Sequence, residues 1–415
     1  MKTMLYHKLI TLSISRIVQV RKLHNDVTHF LTRKRKYKDN SNYLHTKNDK
    51  ITEIPAPLFK YLNDMNPIFR EKVIKNYLSR NTNRVDPYLI NDNVSNEFST
   101  LIKDDLLENM CYVIELNPGY GLLTRRLLEA GVSFMHLYES HDAFYQELQS
   151  LKAIFPNRVK ITKVNLLKIS KMLNLDKSSS ASHTPNMDLC ELYNNVPRRE
   201  WEDKSCMQII GTVTKPLFIR HLLLSVIFQT GFMMHGRAIF YLAVSPSIWN
   251  IFRCCNKGNL VPQVICKILF NITMFGTLDR KGFLPWQQIS KLKTSKSESE
   301  DYNQLLFVVK LEPNPNLLSL FGGREHLIYF WHFVRHYLYK PSLAIIPTLE
   351  RVIPGFGERL LKKDYNIFTQ FGELNIDQII DLYMEFRSCP EFNESSFLPS
   401  GNDIRRIYDP YMGPE

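Results

Sequence analysis

The stretch that most constrains this chain is CYVIELNPGYGLLT, residues 111–124. A short apolar run, YVIEL (112–116), breaks at Asn117-Pro118-Gly119-Tyr120-Gly121. It resumes as a helical pattern over 122–130, with Leu122, Leu123, Leu127 and Leu128 on one side. A change from strand to helix period across two glycines predicts a strand that turns tightly into a helix. Glycines at such a turn let the backbone come close to a bound group, because no Cβ intervenes. A second apolar run, FMHLYES (134–140), carries an acid, Glu139, near its end, and RVKITKV (158–164) is a third. MQIIGTV (207–213), RAIFYLAV (237–244) and QLLFVVKL (304–311) supply later strands. Strands alternating with helices at this spacing predict a parallel, doubly wound α/β sheet.

The remaining segments divide the 415 residues around that sheet. The sheet domain is expected over 55–312, with DPYLINDNVSNEFSTLIKDDLL (86–107) as a turn feeding an amphipathic helix. A polar, serine-rich insertion at 174–205 interrupts the domain. Beyond EPNPN (312–316) the pattern is all helical, so a small helical domain is expected over 313–388. Residues 389–415, rich in Pro, Ser and Glu, are expected to be a flexible tail. The longest apolar stretch, HLLLSVIFQTGFMM (221–234), is shorter than the ~18–20 residues of a membrane span and predicts a buried helix. No membrane partner is expected.

Charge is concentrated at one end. Residues 1–50 hold twelve Lys/Arg against three Asp/Glu, a balance of +9, which leaves +3 of the total +12 for the other 365 residues. Residues 1–25 contain no acid and interleave Lys2, Lys8, Arg16, Arg21 and Lys22 with aliphatic residues, the pattern of a mitochondrial presequence. A basic arm for nucleic acid is the alternative. Residues 26–54 read as a basic and polar linker, in which RKRKYK (33–38) is either a phosphate-contacting cluster or a solvated stretch. Seven cysteines without a CxxC pair argue against a zinc ribbon or a redox motif and favour buried thiols in a reducing compartment.

At the first turn, Gly119 and Gly121 are candidate ligand-binding residues, and Glu139 is placed to accept hydrogen bonds from ribose hydroxyls. A bare strand–helix turn without ligand is the alternative. ELNPGYGLLTRRLLEAG resembles the first motif of the rRNA adenine dimethyltransferase family, commonly E-I-G-P-G-x-G-x-L-T. The resemblance in element order and motif position runs from about 86 to 311. FLPWQQ (283–288) and LEPNPNLLSL (311–320) resemble the mitochondrial transcription-factor branch of that family. It implies a Rossmann-like S-adenosylmethionine-dependent methyltransferase fold, with a mostly parallel seven-stranded sheet and a small all-helical C-terminal domain. It also implies that Glu115, Asn117, Gly119 and Gly121 occupy the cofactor loop, that Glu139 is the ribose-binding acid, and that Asn165 stands where the family has an aspartate reading the cofactor's adenine.

One departure decides the expected chemistry. The family ends its fourth strand in N-[LI]-P-[YF]; here Thr212, Val213, Thr214 and Lys215 fill those places. Methylating an adenine amine needs an acceptor for its hydrogens, a fixed turn and a stacking ring. Losing one such hydrogen-bonding group costs about 2.7–4 kcal/mol of transition-state stabilisation. Here all three are altered, so methyl transfer is expected to be lost or vestigial, with weak S-adenosylmethionine binding and no turnover. An rRNA adenine dimethyltransferase and an RNA-binding ribosome-assembly factor are the rival readings.

Function is then expected from surfaces. HLIYFWHFVRHYLYK (326–340) sets Arg335, His336 and Lys340 among aromatics, and Arg359, Lys362 and Lys363 add a second basic set. These are candidates for holding single-stranded nucleic acid; an amphipathic helix burying Phe330, Phe333, Tyr337 and Leu338 accounts for the aromatics. The resemblance implies a partnership with a mitochondrial RNA polymerase in the matrix nucleoid. It further implies promoter DNA as a partner, especially the melted non-template strand.

Overall fold

The computed structural model describes residues 60, 61, 64, 86–168, 193, 195–253, 260–285 and 302–398. The expected presequence and linker, the basic cluster at 33–38 and the last residues from 399 lie outside the described residues.

Near-continuous apolar runs become the central strands because helices cover both faces of the sheet, so neither face needs polar side chains. These strands are β2 (Tyr112–Leu116), β3 (Met135–Tyr138), β4 (Val159–Thr162), β5 (Met207–Val213) and β6 (Ala238–Val244). Two further strands, β7 (Phe270–Asp279) and β9 (Leu305–Pro313), complete a seven-stranded sheet of order β4-β3-β2-β5-β6-β9-β7. The first five run parallel, and β9 is antiparallel to both of its neighbours. A short pair, β1 (Tyr88–Leu89) with β8 (Phe283–Leu284), stands apart. The seventh strand, β7, has no counterpart among the runs recognised above. It is an edge strand with a register shift between Met274 and Gly276, so its alternation is broken. A Cβ on Gly276 would lie 2.9 Å from Leu101 Cδ2, so a helix packs directly on the irregular turn of the strand.

Alternate residues of the strands feed two cores. Ile114, Leu116, Ile209, Phe240, Leu242 and Val244 face one layer, whereas Val113, Ile210, Ile239, Tyr241 and Ala243 face the other. The second layer is built by α1 (Asp92–Glu108), α2 (Leu122–Glu129) and α3 (Asp142–Ile154). The first is covered by α4 (Pro216–Phe228), α5 (Pro246–Arg253) and α6 (Leu260–Leu269). The apolar stretch at 221–234 is thus α4 plus a buried turn, and no helix among the described residues is long and apolar enough to cross a membrane.

The helices after β9 share that first core. They are α7 (Leu317–Phe321), α8 (Arg324–Tyr337), α9 (Ile345–Glu350), α10 (Phe356–Leu361) and α11 (Ile376–Arg387). Phe228 of α4 meets Trp331 of α8 edge-on at 5.7 Å, and Phe330, Phe333 and Tyr337 are buried as the helical pattern predicts.

The described end of the insertion fits the expected domain, and one expectation, the start of the tail, changes. Residues 193 and 195–205 of the insertion are built into the fold. Tyr193 and Trp201 are buried, Trp201 Nε1 donates to Asn314 O at 3.1 Å, and Arg237 donates to the carbonyls of Trp201, Asp203 and Pro313. The tail does not begin at 389. Residues 390–394 form a turn of helix, and Phe392 and Phe397 pack edge-on against Phe386 at 5.6 and 5.4 Å. Two aromatics outweigh the polar composition around them, because each removes a large apolar area from water.

Candidate functional site

The sheet order reverses between β2 and β5, and in such sheets ligands bind beyond the strand ends at this point. The loop leaving β2 has three left-handed residues: Asn117 (φ 51°), Gly119 (φ 59°) and Gly121 (φ 69°). Asn117 keeps the turn open because asparagine tolerates this region better than other side-chain-bearing residues. Its backbone N–H is tied to Tyr138 O at 2.9 Å. Its side chain is buried, and neither Nδ2 nor Oδ1 has a hydrogen-bond partner.

Two buried carboxyls flank the loop. Glu115 accepts from Thr124 Oγ1 at 2.6 Å. Burial pushes its pKa up to about 7, Thr124 opposing and the charge of Glu139 adding to the rise. Glu139 is also raised by burial, although its oxygens accept from His141 N at 2.8 Å, Tyr88 Oη at 3.1 Å and Gly119 N at 3.2 Å. The acid at the end of the second strand is therefore where the sequence predicts it. One of its partners is a residue that sequence reasoning passed over.

That residue, Tyr88, belongs to a segment that closes the site. Its ring lies against the glycine loop, so that a Cβ on Gly119 would fall 2.7 Å from Tyr88 Cδ1, and it packs on Phe144 at 4.5 Å. Two residues earlier, Asp86 accepts from Asn165 Nδ2 at 3.2 Å and from Lys215 Nζ at 2.5 Å. Asn165 also caps the turn after β4 by accepting from Leu167 N at 3.0 Å. Thr212 and Val213 end β5, and Thr214 leads to Lys215, the N-cap of α4, with Pro216 in the first turn. All the site residues read around the sheet thus converge: Glu115, Asn117, Gly119, Gly121, Glu139, Asn165 and the Thr212–Lys215 motif. Tyr88 reaches Gly119 and Glu139, and Asp86 joins Asn165 to Lys215. These hydrogen-bond partners lie 51 to 129 residues away, and no periodicity in DPYL signals them.

The candidate nucleic-acid residues divide. Arg359 pairs with Glu385 at 2.6 Å, Lys363 with the same carboxylate at 2.8 Å, and Lys362 with Glu358 at 2.9 Å. Arg335 lies over the Trp331 ring at 5.4 Å, and Lys340 is exposed. His336 is exposed, and partial desolvation of its ring, then the charge of Arg335, lower its pKa. The six therefore do not form one bare basic face, because Glu358 and Glu385 offset three of them. No cluster of three metal-ligating side chains occurs among the described residues.

S-adenosylmethionine fits one half of this site. The left-handed loop and the orphaned Asn117 amide suit a polar ligand, whereas the Glu139 oxygens and the Asn165 side chain, expected to meet ribose and adenine, are engaged by the Asp86–Tyr88 segment. As arranged, the ribose and adenine half does not fit.

The strand order, the reversal point and the glycine loop define the class: a Rossmann-like α/β methyltransferase fold. No protein-family model matches the chain. It is 30% identical over 362 residues to "Dimethyladenosine transferase 2, mitochondrial" of Drosophila melanogaster, covering 75% of this chain and 78% of the relative. It is 24% identical over 320 residues to the Bos taurus protein of the same name, covering 72% and 74%. The chain belongs to the rRNA adenine dimethyltransferase family, with the mitochondrial dimethyladenosine transferases. Among solved structures it is similar to a dimethyladenosine transferase from Plasmodium falciparum. That match has a TM-score of 0.45 and 12% identity, over 72% of this chain and 97% of the other.

Proposed function

We propose that this chain is a mitochondrial transcription initiation factor. It binds the mitochondrial RNA polymerase and promoter DNA, assists melting of the start site and holds the non-template strand. The observation that carries the reading is Lys215. At the place where the family stacks a target base on an aromatic ring, this chain has a flexible cation ion-paired to Asp86. A lysine offers no π face, and its pairing ties the motif to Asn165 through a shared carboxylate. The relatives' names support a mitochondrial location, which we take to be the matrix nucleoid. S-adenosylmethionine binds weakly and is not turned over. Run-off transcription from promoter DNA by purified mitochondrial RNA polymerase should rise when the chain is added; absence of stimulation rejects the proposal.

The second reading is an rRNA adenine dimethyltransferase of the mitochondrial small subunit. It is favoured by the intact left-handed loop with Glu115 and Glu139, and by the names of the relatives. Transfer of a labelled methyl group to the rRNA hairpin, abolished by Glu139→Ala, would establish it.

A further inference from the structure

We propose that the Asp86–Tyr88 segment is a built-in occupant of the ribose end of this cleft. An adenosyl ligand binds only by displacing it. The inference deepens the weak cofactor binding proposed above and is independent of the role in transcription. Three observations carry it. The Tyr88 hydroxyl donates to Glu139 Oε1 at 3.1 Å, the kind of bond a ribose hydroxyl would make with the same carboxylate. The Tyr88 ring occupies the approach to Gly119, where the absence of a Cβ otherwise leaves room for a ligand. Asp86 anchors the segment at its other end through Asn165 and Lys215.

The opposite end of the loop supplies an independent sign that a ligand belongs here. Asn117 is 7% exposed, and both polar atoms of its amide lack a partner. Buried amides without partners are rare and costly, and a ligand carrying both charged donors and acceptors, such as an α-amino acid group, would satisfy it. The cleft is thus furnished for an amino-acid end and filled at its ribose end. Affinity for S-adenosylmethionine is then the difference between ligand binding and segment displacement.

Isothermal titration of the full chain with S-adenosylmethionine, S-adenosylhomocysteine and adenosine tests this. Tyr88→Phe removes one hydroxyl and keeps the ring; it should tighten both adenosyl ligands about tenfold, the worth of one hydrogen bond to a charged group. Asp86→Asn, which removes the ion pair with Lys215, should tighten them in the same direction. Adding Glu139→Ala to either variant should erase the gain. Adenosine should gain as much as the adenosyl ligands but bind more weakly, since it lacks the group that reaches Asn117. Equal or weaker binding by a folded Tyr88→Phe protein overturns the proposal, as does failure of the wild type and both variants to bind at millimolar ligand. If one variant fails to fold, the other decides. Ligand titration reads this proposal and run-off transcription by the wild type reads the other, so the two fail separately.

Discussion

Asn117 carries two costs at once: a left-handed backbone at φ 51° and a buried amide with no partner. An unsatisfied buried polar group costs about 1–3 kcal/mol, and a glycine there would lose about 0.5–1 kcal/mol to the entropy of the unfolded chain. The first effect wins. Asn117→Gly should stabilise the protein by about 1 kcal/mol in urea denaturation, and a destabilised variant would mean the amide is satisfied in solution. Glu115 makes a pH-dependent contribution. Its carboxyl is raised from an ordinary 4.5 to about 7, so the folded state holds the proton more tightly. That stability is present at low pH and lost as pH rises through about 7. Glu115→Gln should gain about 2 kcal/mol relative to the wild type between pH 5 and 7.5. Parallel stability curves for the two proteins would contradict the buried, raised carboxyl.

Among the elements, the segment after α11 and the basic face of α10 make the sharpest claims. Phe397 is 4% exposed and touches Phe386, Phe392 and the His332 ring. Phe397→Ala should cost about 3 kcal/mol or more in a denaturation experiment, as a cavity in a packed core does, against less than about 0.5 kcal/mol for a flexible end. On the other face, Glu385 holds both Arg359 and Lys363. If these cations contact phosphate, Glu385→Gln should tighten single-stranded DNA binding and steepen its salt dependence; an unchanged salt slope would leave the face a structural one. The Lys362–Glu358 pair is legible in the sequence, since residues four apart share a helix face. The Glu385 pairs are not, because α11 meets α10 only after the chain has turned back.

At the scale of the whole molecule, buried histidines among the described residues weigh most in the response to acid. His136 bridges three strands, with Tyr112 Oη at 2.9 Å and Thr162 Oγ1 at 2.7 Å, and burial lowers its pKa to about 3. His221 in α4 is lowered to about 4 and His332 in α8 to about 3, burial again leading. A histidine with a lowered folded pKa contributes stability above about 6.5 that is lost as pH falls below it. Between pH 7 and 5 each costs about 2 kcal/mol, while Glu115 returns about 2 kcal/mol and Glu139 acts in the same direction as Glu115. Three losses exceed these returns, so unfolding free energy should fall by a few kcal/mol from pH 7 to pH 5. Equal or greater stability at pH 5 in urea titrations would show that these rings reach solvent.

What the sequence by itself determined is the part governed by neighbours along the chain. The strand-to-helix change of period, the glycines at a left-handed turn and the acid closing the second strand are all local patterns. Local sterics and burial period dictate them wherever the chain goes next. Only the tertiary structure decided what those residues touch. Tyr88 on Glu139, Asp86 on Lys215 and Asn165, Glu385 on two cations and the burial of Phe397 join residues far apart in sequence. A side chain's partner is set by which surfaces the packed layers bring within a few ångströms, and no short window of residues contains that information.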